Sequence, residues 1–427
     1  MNLIPGPHIS YRRYPDRTIL VDHRTQTTYE LNDTAGETFD RLERGEAPLA
    51  GEQEFVDELR DLGIFDTAPQ PIPPVAPSEG TAPAATDEIF TALKRFGEKH
   101  CIPVAATFSV TYRCPLACRH CFFDKKPSTA EGELTLAEIE KVLDELRDAG
   151  TLYLTLTGGE PFLRHDILDI VAAGRKRRFA VSLLTSGYLC DEPTLDALAA
   201  LWPESVQVSL YGPDSATHDR FTGVPGSFDR AMRTLRGLRD RGISVTAAVS
   251  INTLTAPTVR ELAALLRAET IPLSCNITML PSRGGATDPT ALNISEEELA
   301  AIIADLGIPH GDRLAGKGPD DAPCAAARSV VAIDPYGTVL PCHELDLPAG
   351  SLREKPFTEL WRALPFENLR RLRFGDLTDC PTCTYRAVCG RCAALALRTG
   401  GKITDHAALD CRAARAFSLS PKKTIDL

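Results

Sequence analysis

Between residues 104 and 277 the chain alternates short apolar runs with amphipathic stretches. The runs at 104–110, 152–157, 180–185, 205–210, 243–249 and 273–277 have the length and β-branched content of strands. The stretches between them carry apolar residues at helical spacing. Over 227–241, Phe228, Met232, Leu235 and Leu238 recur at i, i+4, i+7 and i+10, while arginines fill the opposite face. Six strand–helix units in succession predict an α/β fold with parallel strands, whose chemistry sits at the C-terminal strand ends. Ahead of them, residues 9–13, 18–22 and 27–31 alternate as three short strands. Asn32-Asp33-Thr34 then offers a cap for a helix to about residue 43, and a second helix is expected over 52–62. From about residue 319 the pattern breaks into short strands and turns, with Ile333-Asp334-Pro335-Tyr336-Gly337 reading as a hairpin turn.

The stretch at 67–87, TAPQPIPPVAPSEGTAPAATD, reads as a linker. Repeated proline fixes φ and removes amide donors, while Ala, Ser and Gly have little to bury. The expected divisions are therefore 1–66, a linker and lead-in helix over 67–100, a strand–helix domain over 101–310, and a cysteine-rich domain over 311–427. At 427 residues, 43% hydrophobic and 25% charged, most of the chain should fold. Forty-seven Lys and Arg against 58 Asp and Glu give a formal charge of −11, which disfavours nucleic acid and anionic membranes as partners. No run of about 18 apolar residues could span a bilayer, and residues 1–17 lack a signal-peptide pattern, so a cytoplasmic protein is expected. In a reducing compartment, thirteen cysteines are read first as metal ligands or redox thiols.

Cys114-Pro-Leu-Ala-Cys118-Arg-His-Cys121 directly follows the first strand of the strand–helix domain. Three thiolates in one loop can hold an iron–sulfur cube and leave one iron open; they can also be part of a zinc site, which wants four ligands. Thr157-Gly158-Gly159-Glu160-Pro161 follows the second strand. Two glycines there let the backbone approach a ligand, and Glu160 can accept from an amine; a Gly-Gly pair elsewhere merely turns a chain. Further on, Cys324, Gly337 and Cys342 form a CX12GX4C pattern, followed by Cys380-x2-Cys383-x5-Cys389-x2-Cys392 and then Cys411. By itself the four-cysteine run also suits a zinc knuckle. Cys101, Cys190 and Cys275 fall outside these patterns and are expected to pack as small hydrophobes, and His165, His343 and His406 as surface or packing residues.

The CxxxCxxC loop and the GGE strand end together resemble the radical S-adenosylmethionine (SAM) superfamily over roughly residues 107–308. The resemblance implies a partial (β/α)6 barrel in which Cys114, Cys118 and Cys121 bind a [4Fe-4S] cluster. SAM would bind its fourth iron, and reductive cleavage would yield a 5′-deoxyadenosyl radical. Gly158, Gly159 and Glu160 match the segment contacting the methionine amine; Ser186 and Ser209 fall where members contact SAM, and Arg220 can hold its carboxylate or cap a helix in solvent. Val208-Ser-Leu-Tyr-Gly212, His218-Asp-Arg220-Phe-Thr-Gly223 and Gly226-Ser-Phe228 resemble a family stretch, from which Tyr211 and Thr222 depart where Asp and Arg are usual.

The C-terminal cysteines resemble the SPASM domain of peptide- and protein-modifying members, with two auxiliary iron–sulfur clusters. The resemblance implies Cys324, Cys342 and Cys392 at the first and Cys380, Cys383, Cys389 and Cys411 at the second. One residue fewer than usual separates Cys389 from Cys392. The upstream cysteine that completes the first cluster in some members has no counterpart, leaving it open to substrate or held by His310 or an Asp. Residues 1–66, with Tyr29-Glu-Leu-Asn-Asp-Thr-Ala-Gly36 after two strands, resemble the PqqD-like peptide-recognition element, a winged-helix-type fold that captures a leader peptide by β-augmentation. A nucleic-acid-binding winged helix is the alternative, but Glu37, Asp40, Glu43 and Glu46 make the helix face acidic.

The expected function is maturation of a ribosomally made precursor peptide by hydrogen abstraction, forming a thioether or carbon–carbon crosslink, with flavodoxin or ferredoxin as electron donor. Alternatives are sulfatase-maturase-like oxidation of a Cys or Ser on a protein, and a non-catalytic zinc- or cluster-bearing peptide scaffold. No catalytic side chain is legible from the sequence.

Overall fold

The structure, a computed structural model, describes residues 3–67, 84–123, 127–283, 288–309 and 316–420. Most of the expected linker, and His310, lie outside the described residues. β1 (Ile9–Tyr14), β2 (Arg17–Asp22) and β3 (Thr27–Asn32) form an antiparallel sheet with β2 in the centre. Asn32 caps the helix Asp33–Glu43 by accepting from the Ala35 amide, as its side-chain chemistry favours. Leu20 and Ile9 pack on this helix and on Gln53–Asp61 through Phe39, Leu42, Val56 and Leu59. Ile19 and Val21 point to the other face, against Leu93, Val104 and Leu152 of the next domain. Covered on both faces, β2 can be apolar along its length where a half-exposed strand would alternate.

Among the described residues the second sheet has nine strands. β4 (Ala105–Thr111), β5 (Tyr153–Gly158), β6 (Ala180–Thr185), β7 (Ser205–Ser209), β8 (Val245–Ser250) and β9 (Leu273–Asn276) run parallel and lie side by side in chain order. Every crossover steps to the next position, as in a barrel wall; a doubly wound sheet would reverse direction. All six expected runs are strands, with ends that coincide or differ by at most two residues. Ser227–Asp240 is the expected helix, with Met232, Leu235 and Leu238 buried.

The C-terminal region joins this wall. β10 (Val330–Ile333), β11 (Thr338–Leu340) and β12 (Gly350–Ser351) form the hairpin-linked continuation, and β10 pairs in parallel with β4. The barrel core runs on through Val331, Phe357, Trp361 and Phe366, so the region that looked separate in sequence shares one hydrophobic core with the barrel. The Trp361 indole N–H donates to the Cys101 carbonyl at 2.8 Å. Cys190 and Cys275 pack against the core as expected.

Candidate active site

At the end of β4 the pairing with β5 slips between Ser109 and Thr111, a bulge that re-aims the chain into the cysteine loop. A buried polar frame supports the bend. Glu133 accepts from Thr111 Oγ1 and from Arg113 (Nε to Oε1, 3.2 Å). Arg164 donates to the Val110 and Leu134 carbonyls and holds Asp166 with two bonds, at 2.9 and 2.7 Å. Bidentate, charge-assisted bonds of this kind are stiff as well as strong.

The loop is pinned from its other side by the helix Ser215–Thr222. The Ala117 amide donates to the Thr222 carbonyl at 2.8 Å and the Arg119 amide to the Phe221 carbonyl at 3.2 Å. His120 packs against the touching pair Tyr211 and Phe221, with ring centroids 5.0 and 4.9 Å away. Asp219 receives the Gly226 and Phe228 amides at 2.6 and 2.8 Å, locking the next helix in place. Thr222, where the superfamily usually has Arg, is buried and supplies the carbonyl that holds Ala117.

Cys114, Cys118 and Cys121 are all half-buried thiols. Their convergence is felt at Tyr211, whose phenol is pushed up by burial first and then by negative charge at Cys118, Cys121 and Cys114, against a bond to Ser209. Half-buried thiols that share a neighbourhood can give up their protons to a cation held among them, and a cluster is such a cation.

The glycines of the GGE segment act first on the backbone itself. Gly158 has φ +144°, and a Cβ there would stand 2.0 Å from the Thr111 carbonyl oxygen; on Gly159 it would stand 2.2 Å from that of Arg113. They allow β5 to close on the end of β4, where ligand approach alone had been expected. Glu160 is 0% exposed. Its Oε1 accepts from Thr185 Oγ1 at 2.7 Å and the Phe162 amide at 3.1 Å, and its Oε2 from the Ser186 amide at 2.8 Å and the Ser186 hydroxyl. The carboxylate thus ties the ends of β5 and β6 together. Thr185, absent from the sequence candidates, is part of this clamp. Arg220 is exposed, while His218, Phe221 and Thr222 on the same helix are buried.

Among the C-terminal cysteines, Cys324 and Cys392 act on Cys342, and Cys411 and Cys380 act on Cys389. Burial pushes the Cys342 thiol up to about 12, and Cys324 and Cys392 add to it. Cys389 is likewise pushed up to about 12 by burial, then by Asp410, Cys411 and Cys380, while Cys383 acts on Cys380 and Cys411. Among the described residues no three His, Cys, Asp or Glu side chains are gathered as closely as a single metal ion requires. Thiolates on different corners of a cube stand further apart than thiolates on one zinc ion.

The two ends of the site meet. Phe122 and Phe123, directly after Cys121, pack against His343, directly after Cys342, with ring centroids 6.2 and 6.1 Å apart. Arg398 stacks over Phe122 at 4.5 Å and donates to the Glu344 and Pro281 carbonyls. Burial, then the charges of Arg283 and Arg398, lower His343 to about 4, so its imidazole is neutral. The sequence marked His343 as a surface or packing residue, and it packs; its place beside a cysteine of the CX12GX4C pattern was the signal for where.

Residues 108–267 match the model of the radical SAM superfamily, and residues 324–392 match SPASM, an iron–sulfur cluster-binding domain. A PqqA peptide cyclase of Xanthomonas axonopodis pv. citri is 32% identical over 279 residues, covering 61% of this chain and 74% of that protein. The chain belongs to the radical SAM superfamily. An AdoMet-dependent heme synthase of Nitratidesulfovibrio vulgaris is 27% identical over 334 residues, 70% of this radical SAM enzyme and 89% of the relative. Streptococcus suis SuiB, solved bound to precursor peptide SuiA, shares the fold with a TM-score of 0.64 at 16% identity, over 96% of this chain and 99% of SuiB. SAM and iron–sulfur clusters are the cofactors of this enzyme.

Proposed function

We propose that this enzyme matures a ribosomally made precursor peptide by abstracting a hydrogen atom from it, and that it closes a thioether or carbon–carbon crosslink. The observation that carries the reading is the contact of Phe122 and Phe123 with His343, which sets the CxxxCxxC loop against the C-terminal cysteines. An electron left on a substrate radical would then have an acceptor close by. PqqA peptide cyclases and SuiB, among the similar proteins, are named for work on peptides or solved with one.

Cys114, Cys118 and Cys121 would hold the first cluster; Cys324, Cys342 and Cys392 the first auxiliary cluster; Cys380, Cys383, Cys389 and Cys411 the second. Bound on the first cluster, SAM supplies the 5′-deoxyadenosyl radical. The chain's own part is to seat it. Gly158, Gly159 and Glu160 form the strand end against which the methionine moiety would rest, with Ser186, Ser209 and Arg220 as further contacts.

The leader would dock on residues 1–66 by pairing with a strand edge. The outer edge of β1 is already used: the Tyr11 amide donates to the Arg178 carbonyl at 3.3 Å, and the Arg178 guanidinium reaches the carbonyls of Pro5, Gly6 and Ile9. β3 makes backbone pairs with β2 alone among the described residues, and the helix Ala84–His100 packs beside it, so a leader strand pairing with β3 would share that side with the helix. The reductant would be a flavodoxin or ferredoxin, in a reducing cytoplasm. No helix of the described residues is long and apolar enough to cross a membrane.

A second reading, oxidation of a tetrapyrrole, is favoured by the heme synthase relative, whose match spans 70% of the chain. Anaerobically reconstituted enzyme with SAM and reductant decides between them. Loss of two hydrogens from a precursor peptide, with one 5′-deoxyadenosine formed per event, supports maturation; turnover of an iron tetrapyrrole with no change in any peptide overturns it.

A further inference from the structure

Three cysteines leave one corner of the first auxiliary cluster without a thiolate, and among the described residues the neighbourhood offers few other donors. The Asp410 carboxylate is committed: its Oδ2 accepts from the Cys392 amide at 2.7 Å. Glu344 differs. It sits two residues after Cys342, with its own amide and that of Leu345 turned toward the Cys342 sulfur, and its charge acts on Cys392. Its Oε2 is sealed from solvent and has no hydrogen-bond partner among the described residues.

Two arginines lie near enough to act on it, yet both are occupied. Arg398 gives its Nη1 to Pro281 and its Nη2 to the Glu344 main-chain carbonyl, at 3.0 and 2.9 Å. Arg283 gives its Nη1 to the Tyr112 hydroxyl at 2.8 Å and its Nη2 to Asp346 at 3.2 Å. Neither forms an ion pair with the Glu344 carboxylate in the described structure. A carboxylate oxygen shut away from water with no donor is a costly arrangement. A cluster iron would supply the positive partner, since a hard oxygen donor can take a corner that a thiolate leaves open.

We propose that Glu344 is the fourth protein ligand of the cluster at Cys324, Cys342 and Cys392, so that the resting cluster is closed by oxygen and not open to solvent. The inference rests on the functional reading above, because it requires a cluster at those three cysteines.

The test uses full-length holoenzyme in a Cys114/Cys118/Cys121→Ala background, reduced so that the auxiliary clusters are paramagnetic, in water enriched in oxygen-17. With Glu344 present, pulsed electron paramagnetic resonance should show no water-oxygen coupling to the cluster. Glu344→Ala should gain that coupling with iron content unchanged, and Glu344→Cys should lose it again. Water coupling with Glu344 intact overturns the proposal, as does its absence from Glu344→Ala at full iron. The intact-Glu344 measurement stands even where a variant folds poorly, and Glu344→Gln serves as the near-isosteric control. A separate outcome bears on the parent reading: if Cys342→Ala leaves the iron count unchanged, there is no cluster at these cysteines to ligate.

Discussion

The two cysteine regions hold their sulfurs in different ways. The loop carrying Cys114, Cys118 and Cys121 hangs from a strand end, braced below by Glu133, Arg113 and Arg164 and above by the helix Ser215–Thr222. Most of its order comes from protein. The segment bearing Cys380, Cys383 and Cys389 consists of single 3-10 turns, Cys380–Thr382 and Arg386–Val388, joined by irregular chain. Such turns nucleate weakly on their own. On the proposed ligand assignment, the first site would be a preformed socket for a reactive cofactor, and the second a fold that its cofactor completes.

Replacing all three loop cysteines with alanine should break function and spare the fold. Iron should fall from about twelve to about eight per chain, 5′-deoxyadenosine formation should disappear, and the thermal midpoint should move by no more than a few degrees. A large loss of stability would mean that the two regions do not differ.

Cys380→Ala with Cys383→Ala should do the reverse. It should cost several kcal/mol of local stability, in keeping with metal binding acting as folding free energy. Hydrogen exchange should rise over residues 374–411, while the barrel stays protected and SAM cleavage with a chemical reductant persists. Uniform protection in this variant would place the order of the segment in its protein contacts.

A third measurement, on the interface outside both regions, calibrates them. His23 is buried, with Glu204 Oε2 2.5 Å from its Nδ1 and Arg175 Nη1 2.8 Å from its Nε2. Burial first, then Arg175, lower it to about 4, against the partial opposition of Glu204; unfolded it titrates near 6.5. Between those values the unfolded chain binds the extra proton, so stability falls as pH drops from about 6.5 toward about 4, by up to about 3 kcal/mol. Chemical denaturation from pH 7 to pH 5 should show that contribution in the wild type, and His23→Gln should make the slope shallower by about one proton, the share of His218 and His343, which burial also lowers to about 4, remaining.

Glu160→Gln should have the smallest effect. It exchanges an acceptor for a donor facing the Ser186 amide and should cost about 2 kcal/mol, with weaker SAM binding by calorimetry. Unchanged stability and affinity would show that the β5–β6 clamp is not part of what keeps the first site preformed.

Much of this was legible along the chain, because helix and strand periods and cysteine spacings are local patterns. The six parallel strands, the Asn32 cap and the turn at 334–337 follow from residues a few positions apart. The role of Glu160 was less legible: its partners Thr185 and Ser186 lie at the end of the next strand, and the sequence offered the carboxylate only as an acceptor for a ligand's amine. Gly158 and Gly159 were recognised as needed for close approach, but what approaches them is the end of β4, which register alone decides.

By itself the sequence determined the order of strands, the loops on which thiols would stand, and the division of cysteines into a group of three and a group of seven. Only the tertiary structure decided that β10 would pair with β4, that β1 would spend its outer edge on Arg178, and that Phe122 would meet His343. The physical reason is the character of the forces. Hydrogen-bonded periods and metal-ligand spacings act over a few residues and leave their mark in the order of letters, whereas burial of a shared core is non-directional and joins residues more than two hundred positions apart.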